Sequence, residues 1–139
     1  NIFENDALSK SIPREAGKTG AMFFFSSQKD NSRFGVPVFS GGSPNPLRKT
    51  LITIEEKPVK PKSELAVTGL YIYPPNVFHI IKDLKPSRRG EIEVSDINNW
   101  YIKRRKYDYL WFQGFWSDAG TPKSLMDVTV WEHNRVLDK

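Results

Sequence analysis

The chain of 139 residues contains no cysteine and only two histidines, His79 and His133. Without cysteine, disulfides and thiolate chemistry are excluded, and histidines so far apart in sequence have no spacing typical of a zinc site. No apolar run approaches the roughly 20 residues that a membrane-spanning helix needs, and no signal-peptide pattern is present. These absences are compatible with a cytoplasmic protein that makes no membrane contact.

The charge balance narrows the classes of partner. Lys and Arg number 21 against 16 acidic residues, which gives a net charge of +5. Such a charge suits nucleic acid, a membrane surface or an anionic small molecule. The basic residues are scattered except at Lys103–Lys106, which follows a predicted helix, where cations favour the C-terminal end of the dipole. We therefore expect helix capping and no nucleic-acid partner; a nucleic-acid-binding domain stays as a disfavoured alternative, with salt-sensitive binding as its signature.

Hydrophobic periodicity and turn signals predict one α/β domain over residues 1–139, with a mixed sheet and flanking helices. The predicted strands are Ala21–Ser26, Gly35–Phe39, Leu51–Glu55, Leu65–Tyr73 and Tyr109–Phe115. Helices are predicted after Asp6, after Pro74 and Pro75, over Glu91–Arg104, and from Thr121 and Pro122 onward. In the last helix, the spacing directs Leu125, Val128 and Trp131 towards the core.

The segment Leu51–Tyr73, LITIEEKPVKPKSELAVTGLYIY, carries the most chemical information. Glu56 and Lys57 stand together at the end of a predicted strand. A carboxylate accepts hydrogen bonds from hydroxyls and an ammonium pairs with phosphate, so the two residues together suit a phosphorylated sugar. On this pattern alone, a solvated Glu-Lys pair at a strand end is the commoner interpretation.

Five motifs in order resemble the sugar nucleotidylyltransferases, most closely the glucose-1-phosphate thymidylyltransferases. The segment above supplies EEKP, PKS and AVTGLYIY, and the other four are NIF at Asn1–Phe3, RFGV at Arg33–Val36, LKPSRRGEIEVSDIN at Leu84–Asn98 and WSDAGT at Trp116–Thr121. The resemblance covers nearly the whole chain. It implies the sugar-binding part of a Rossmann-like nucleotidylyltransferase fold.

The resemblance also implies a reaction. The phosphate of a sugar 1-phosphate, with glucose 1-phosphate the best choice, attacks the α-phosphorus of a nucleoside triphosphate such as dTTP, and pyrophosphate leaves. Phosphoryl-type transfer depends on positioning and on charge neutralisation, here by Mg²⁺. Asp118 matches a metal-binding aspartate, and Lys57 and Arg89 match catalytic residues that contact phosphate.

The same comparison implies a sugar pocket. Its residues would be Gly35, Glu56, Val67, Tyr71, Glu91 and Trp116. Each has an ordinary alternative: a turn glycine at Gly35, a loop or cap aspartate at Asp118, a helix-start glutamate at Glu91, and core packing for Val67, Tyr71 and Trp116. The pattern of residues alone leaves these alternatives open.

The N-terminal half of the family's sequence pattern has no counterpart in residues 1–139. Nothing in the chain resembles the glycine-rich nucleotide loop, and the family's other metal-binding aspartate precedes the position of Asn1. We therefore expect residues 1–139 to be the C-terminal, sugar-phosphate-binding part of the domain, with the N-terminal nucleotide-binding half absent. The alternative is a non-catalytic sugar-phosphate-binding fragment. The resemblance further implies a homo-oligomer, whereas the loop Gly41–Thr50 suggests no role.

Overall fold

A computed structural model describes residues 1–4, 12–41 and 50–137. Its strands are β1 Ile2–Phe3, β2 Ala21–Ser27, β3 Gly35–Phe39, β4 Leu51–Glu56, β5 Leu65–Ile72, β6 Tyr107–Phe112 and β7 Trp116–Ser117. Its helices are α1 Val77–Asp83, α2 Val94–Lys103 and α3 Pro122–Leu137. The helix predicted after Asp6 and most of the loop Gly41–Thr50 lie outside the described residues.

The central sheet has the strand order β5-β2-β6. Strand β2 runs antiparallel to β5 and parallel to β6, so the sheet is mixed, as predicted. The consecutive aromatic residues Phe23, Phe24 and Phe25 are fully buried in its middle strand, which confirms the prediction of a buried strand here. A strand covered on both faces reads as a continuous apolar run.

Two smaller pairings complete the strand arrangement. Strands β3 and β4 are antiparallel, with Gly35 opposite Glu56, and β1 pairs with β7, with Phe3 opposite Trp116. Helices α1 and α2 cover the core through apolar side chains that include Ile80 and Ile97. The ends of β3, β4 and β5 and the start of α2 thereby meet in one region.

Two boundaries differ from the predictions by three residues. Helix α2 begins at Val94 and not at Glu91, because Gly90 turns the chain with a φ of +78° and the N-cap Glu93 is extended. Glu91 is therefore not a first-turn glutamate. Strand β6 ends at Phe112, where its parallel ladder with β2 stops opposite Ser26.

The packing predicted for α3 is wrong at Leu125, whose surface is 56% exposed. Val128 and Trp131 are half-buried, and α3 has no fully buried residue. Trp131 stacks on Phe115 with ring centroids 4.2 Å apart. Among the helices of the described residues, none has the length and apolar character to span a membrane.

Candidate functional site

A cavity of about 300 Å³ opens where β3, β4 and β5 meet the start of α2 and the loop after β7. Six of the residues expected at the site line this cavity, namely Gly35, Glu56, Val67, Tyr71, Trp116 and Asp118. They come from four separate segments of the sequence, and the fold brings them to one surface.

Glu56 ends β4 and is half-buried in the cavity wall. Its carboxylate accepts a short hydrogen bond from the hydroxyl of Ser95, a buried residue in the first turn of α2. Of the two carboxylate oxygens of Glu56, only Oε2 has a hydrogen-bond partner among the described residues. The carboxylate is therefore held in one orientation with an oxygen left to accept a ligand hydroxyl.

Gly35 lies directly across the β3–β4 ladder from Glu56. A Cβ atom built here would lie 3.0 Å from Ile54 Cγ2, 3.1 Å from Ser95 Oγ and 3.3 Å from Val67 Cγ2. All three contacts are tight, so any larger residue has to displace a neighbour. Glycine at this position keeps the floor of the cavity open.

Strand β5 contributes an aromatic wall. The ring of Tyr71 stacks on that of Tyr73 at 5.8 Å, and the Tyr73 hydroxyl donates a 2.5 Å hydrogen bond to Asn98 Oδ1. Burial, together with the negative charge of Glu56, raises the pKa of Tyr71 to about 12. The phenol at the cavity therefore keeps its proton and can donate a hydrogen bond.

The loop after β7 carries Asp118. Its Oδ2 atom accepts a 3.1 Å charge-assisted hydrogen bond from Arg33 Nη2. The next residue, Ala119, has a φ of +49°, and its N–H donates to Ser117 Oγ, so the loop turns sharply behind the carboxylate. Arg33 was not predicted as a site residue, although it is the first residue of the RFGV motif.

Asn1 also lines the cavity without having been predicted there. Its Oδ1 atom accepts hydrogen bonds from the Trp116 indole N–H at 3.1 Å and from the Gly69 backbone N–H at 3.2 Å. A Cβ atom at residue 69 would overlap Asn1 Nδ2, so any larger residue here would displace the Asn1 side chain. The NIF motif contained the only sequence signal for Asn1.

The two basic residues expected to bind phosphate, Lys57 and Arg89, do not line the cavity. Lys57 follows Glu56 immediately but is exposed and does not line the cavity; its φ is +45°, and its N–H donates to the Phe34 carbonyl at 3.0 Å. Arg89 pairs with Glu91 at 2.8 Å and with Glu93 at 3.6 Å. Of these residues only Glu93 lines the cavity, so Arg89 and Glu91 lie beside its rim.

The residues present fit a partial magnesium site. Within the described residues, no three Asp, Glu or His side chains are close enough together to hold a metal ion. Protein sites for Mg²⁺, however, commonly use one or two carboxylates together with substrate phosphates and water. Asp118 is placed to be one such ligand, next to the surface formed by Glu56 and Tyr71.

A second cavity, of about 610 Å³, lies on the other side of the same wall. The two cavities share Arg33, Phe34, Trp116 and Asp118. The lining of the second cavity includes Thr121 and Ser124, whose hydroxyl groups cap the start of α3 through mutual hydrogen bonds. The Arg33–Asp118 pair is thus accessible from two sides.

Sequence comparison identifies relatives of the chain. Residues 2–134 match the Nucleotidyl transferase family. The chain is 40% identical over 131 residues to the glucose-1-phosphate thymidylyltransferase of Neisseria gonorrhoeae, which covers 92% of the chain and 43% of that relative. It is 36% identical over 130 residues to the enzyme of the same name from Mycobacterium tuberculosis, with 92% and 43% covered.

Solved structures show the same fold. A Bacillus anthracis protein described as a glucose-1-phosphate thymidylyltransferase, solved as a complex with sucrose, matches with a TM-score of 0.78 and 43% identity over 94% of the chain and 50% of that protein. A UDP-glucose pyrophosphorylase complexed with UDP-glucose has a TM-score of 0.76 at 21% identity over 96% of the chain and 52% of its own, which shows the fold alone.

The chain thus spans less than half the length of the curated relatives it matches, and the match covers nearly all of the chain. The resemblance seen in the five motifs is confirmed by identity along 131 residues and by the shared fold. The chain belongs to the nucleotidyltransferase family.

Proposed function

We propose that this protein supplies the sugar-phosphate pocket for nucleotidylyl transfer from a nucleoside triphosphate, dTTP, to glucose 1-phosphate. The products are a nucleotide sugar and pyrophosphate. The observation that carries the proposal is the single cavity containing Gly35, Glu56, Tyr71 and Asp118. The printed names of the relatives, glucose-1-phosphate thymidylyltransferase, support the choice of sugar and nucleotide.

The sugar ring is proposed to lie over Gly35, where the absence of a side chain leaves room between β3 and β5. Glu56 accepts hydrogen bonds from ring hydroxyls, and its orientation by Ser95 selects their position. Tyr71 donates from its protonated hydroxyl, and Val67 and Trp116 provide apolar surface. Glu91, beside the rim, is proposed to contact hydroxyls at the edge of the ring.

The phosphate of the substrate is proposed to be bound by Lys57 and Arg89. Arg89 offers a planar guanidinium for bidentate contact with phosphate, and Lys57 offers a point charge. Both are exposed and neither lines the cavity, so the proposed binding requires each side chain to turn from its present position. Mg²⁺ bound through Asp118 would neutralise charge on the transferring phosphoryl group.

The alternative is a non-catalytic protein that binds a sugar phosphate. The observation that favours it is that no three Asp, Glu or His side chains of the described residues lie close enough together to hold a metal ion. Both functions use the same sugar pocket, and only turnover separates them. A cytoplasmic location and homo-oligomerisation belong to the proposal as well.

Calorimetric titration of glucose 1-phosphate into the protein tests the pocket. Glu56→Gln removes the charged acceptor, and we expect binding about tenfold or more weaker, as for the loss of one charge-assisted hydrogen bond. Glu55→Gln is the matched control, because Glu55 pairs with Lys62 at 2.5 Å and does not line the cavity. Equal effects of the two substitutions would contradict the proposal.

Pyrophosphate release from dTTP, glucose 1-phosphate and Mg²⁺ then distinguishes the two functions. Turnover that requires all three components supports the transferase, whereas binding without turnover supports the non-catalytic alternative. Absence of both binding and turnover would contradict both.

A further inference from the structure

Asn99 makes three hydrogen bonds to strand β4 with one side chain. Its Oδ1 atom accepts from the Ile54 backbone N–H at 2.8 Å and from the Thr53 hydroxyl at 2.9 Å. Its Nδ2 atom donates to the Ile54 carbonyl at 2.9 Å. The side chain therefore satisfies both backbone groups of Ile54 on the edge of β4 that faces away from β3, as a neighbouring strand would.

The position of Asn99 on α2 relates it directly to Glu56. Ser95 and Asn99 are four residues apart and lie on one face of the helix, separated by about 6 Å along its axis. Ile54 and Glu56 are two residues apart and lie on one face of β4, separated by about 6.6 Å. Ser95 contacts Glu56 and Asn99 contacts Ile54. One turn of α2 therefore spans nearly the same distance as two residues of β4, and the two contacts can form together.

This match matters because β4 ends in two glutamates. Glu55 points away and pairs with Lys62, whereas Glu56 enters the cavity. A shift of β4 by one residue would exchange the two faces of the strand and bring the wrong carboxylate inward. Whatever fixes the register of β4 against α2 therefore decides which carboxylate binds the ligand.

We propose that Asn99 is a positioning residue that fixes the register of β4 against α2 and thereby holds the Glu56 carboxylate at Ser95 and at the sugar pocket. The proposal rests on the sugar-binding function proposed above. Asn99 does not line the cavity, so it acts through Glu56 and not through contact with the ligand. It lies just beyond the SDIN motif, outside the residues that carry the family resemblance.

The test is a double-mutant cycle on glucose 1-phosphate affinity, measured by calorimetry. We expect Asn99→Ala to weaken binding about tenfold and Asn99→Asp to weaken it less, because aspartate keeps both accepted hydrogen bonds and loses the donated one. In a protein that already carries Glu56→Gln, Asn99→Ala should weaken binding no further. Additive effects, or unchanged affinity in Asn99→Ala, would overturn the proposal.

Tyr107→Phe provides a matched structural control. The Tyr107 hydroxyl donates to the Leu51 carbonyl at 2.9 Å, so this substitution also removes a hydrogen bond to β4, but at the opposite end from Glu56. We expect it to lower stability and leave glucose 1-phosphate affinity within about twofold. An equal loss of affinity in both variants would show that general loosening of β4 is responsible and would overturn the proposal.

A ligand-free measurement separates failure of this inference from failure of the proposed function. In Asn99→Ala, the Ile54 amide should exchange its hydrogen at least about tenfold faster, and nuclear Overhauser contacts between residues 95 and 56 should weaken. If the unmodified protein does not bind glucose 1-phosphate, the proposed function fails while these data still decide the role of Asn99. Unchanged exchange and contacts would overturn that role.

Discussion

Arg33 and Asp118 form an ion pair at the wall shared by the two cavities, with Arg33 Nη2 3.1 Å from Asp118 Oδ2. The residues are 85 positions apart in the sequence, and the β3 and β7 segments bring them together. Both side chains are partly exposed, at 48% and 23%, so the pair contributes less than about 1 kcal/mol to stability. The pair is therefore of interest for its position beside the pocket and not for its contribution to stability.

Asp118→Asn should abolish Mg²⁺-dependent release of pyrophosphate while changing metal-free affinity for glucose 1-phosphate less than about threefold. The reason is that an amide is a poor Mg²⁺ ligand in place of a carboxylate, whereas Asp118 is not proposed to bind the sugar. Assays of turnover against Mg²⁺ concentration check the first part, and calorimetry checks the second.

Asp127→Asn is the control for Asp118→Asn. Asp127, on α3, lines the larger cavity as Asp118 does and pairs with Lys123 at 2.7 Å, but it does not line the sugar pocket. Its substitution should leave both measurements unchanged. Full turnover in Asp118→Asn would exclude Asp118 as a required ligand.

Gly35→Ala should lower both stability and sugar-phosphate affinity. The added methyl group would lie 3.0–3.3 Å from side-chain atoms of Ile54, Ser95 and Val67, and overpacking of this kind costs about 1–3 kcal/mol. Because Ser95 orients Glu56, we expect affinity for glucose 1-phosphate to fall about tenfold as well. Thermal unfolding and calorimetry measure the two effects.

Val38→Ala, in the same strand but outside the cavity, provides the comparison for Gly35→Ala. It should lower stability with little change in affinity. If the two variants bind equally well, the close approach at Gly35 serves packing and not ligand binding.

Short motifs at or near the ends of strands led to the prediction that the candidate residues share one site, and six of them line one cavity. Pairing of β3 with β4 brings Gly35 and Glu56 together, and contact between β3 and β5 adds Tyr71 to the same cavity. The contacts of Arg33 and Asn99 were not predicted because their partners, Asp118 and Ile54, are far away in the sequence. Local patterns contain no information on such pairs.

The helices show the same limit. The prediction that α2 begins at Glu91 followed helix propensity, but the turn at Gly90 and the extended Glu93 delay it to Val94. In α3, periodicity identified the helix but not the face that packs inward: Leu125 points to solvent while Trp131 contacts Phe115. An amphipathic pattern identifies the apolar face of a helix, but the tertiary structure determines which residues pack against that face.

The pKa values of the five tyrosines should all be higher in the folded protein than in the unfolded chain. Burial raises the pKa of all five, with Tyr71 reaching about 12, and Glu56 adds to the effect on Tyr71. A folded-state pKa above the unfolded value of about 10 means that the native state binds the proton more tightly, so stability is unaffected below pH 10 and falls as the pH rises above it.

Absorbance of tyrosinate at alkaline pH checks this prediction. The native protein should titrate in one late, cooperative step that coincides with unfolding followed by circular dichroism, whereas the protein in guanidinium should titrate near pH 10. Tyr71→Phe should shift the alkaline unfolding midpoint upward. Ionisation of most tyrosines near pH 10 with the fold intact would contradict the burial described.

Trp131→Ala should detach α3 from the body of the protein. The stack of Trp131 on Phe115, with nearly parallel rings 4.2 Å apart, is the principal aromatic contact of this helix, which has no fully buried residue. Because Trp131 is half-buried, we expect the free energy of unfolding to fall by about 1–2 kcal/mol, less than for a fully buried tryptophan.

Leu125→Ala, on the exposed face of α3, is the control and should change the free energy of unfolding by less than about 0.5 kcal/mol. Denaturant unfolding measures both values, and hydrogen exchange along α3 should rise only in Trp131→Ala. A larger loss for Leu125→Ala than for Trp131→Ala would mean that the exposed face of α3 is the one that packs.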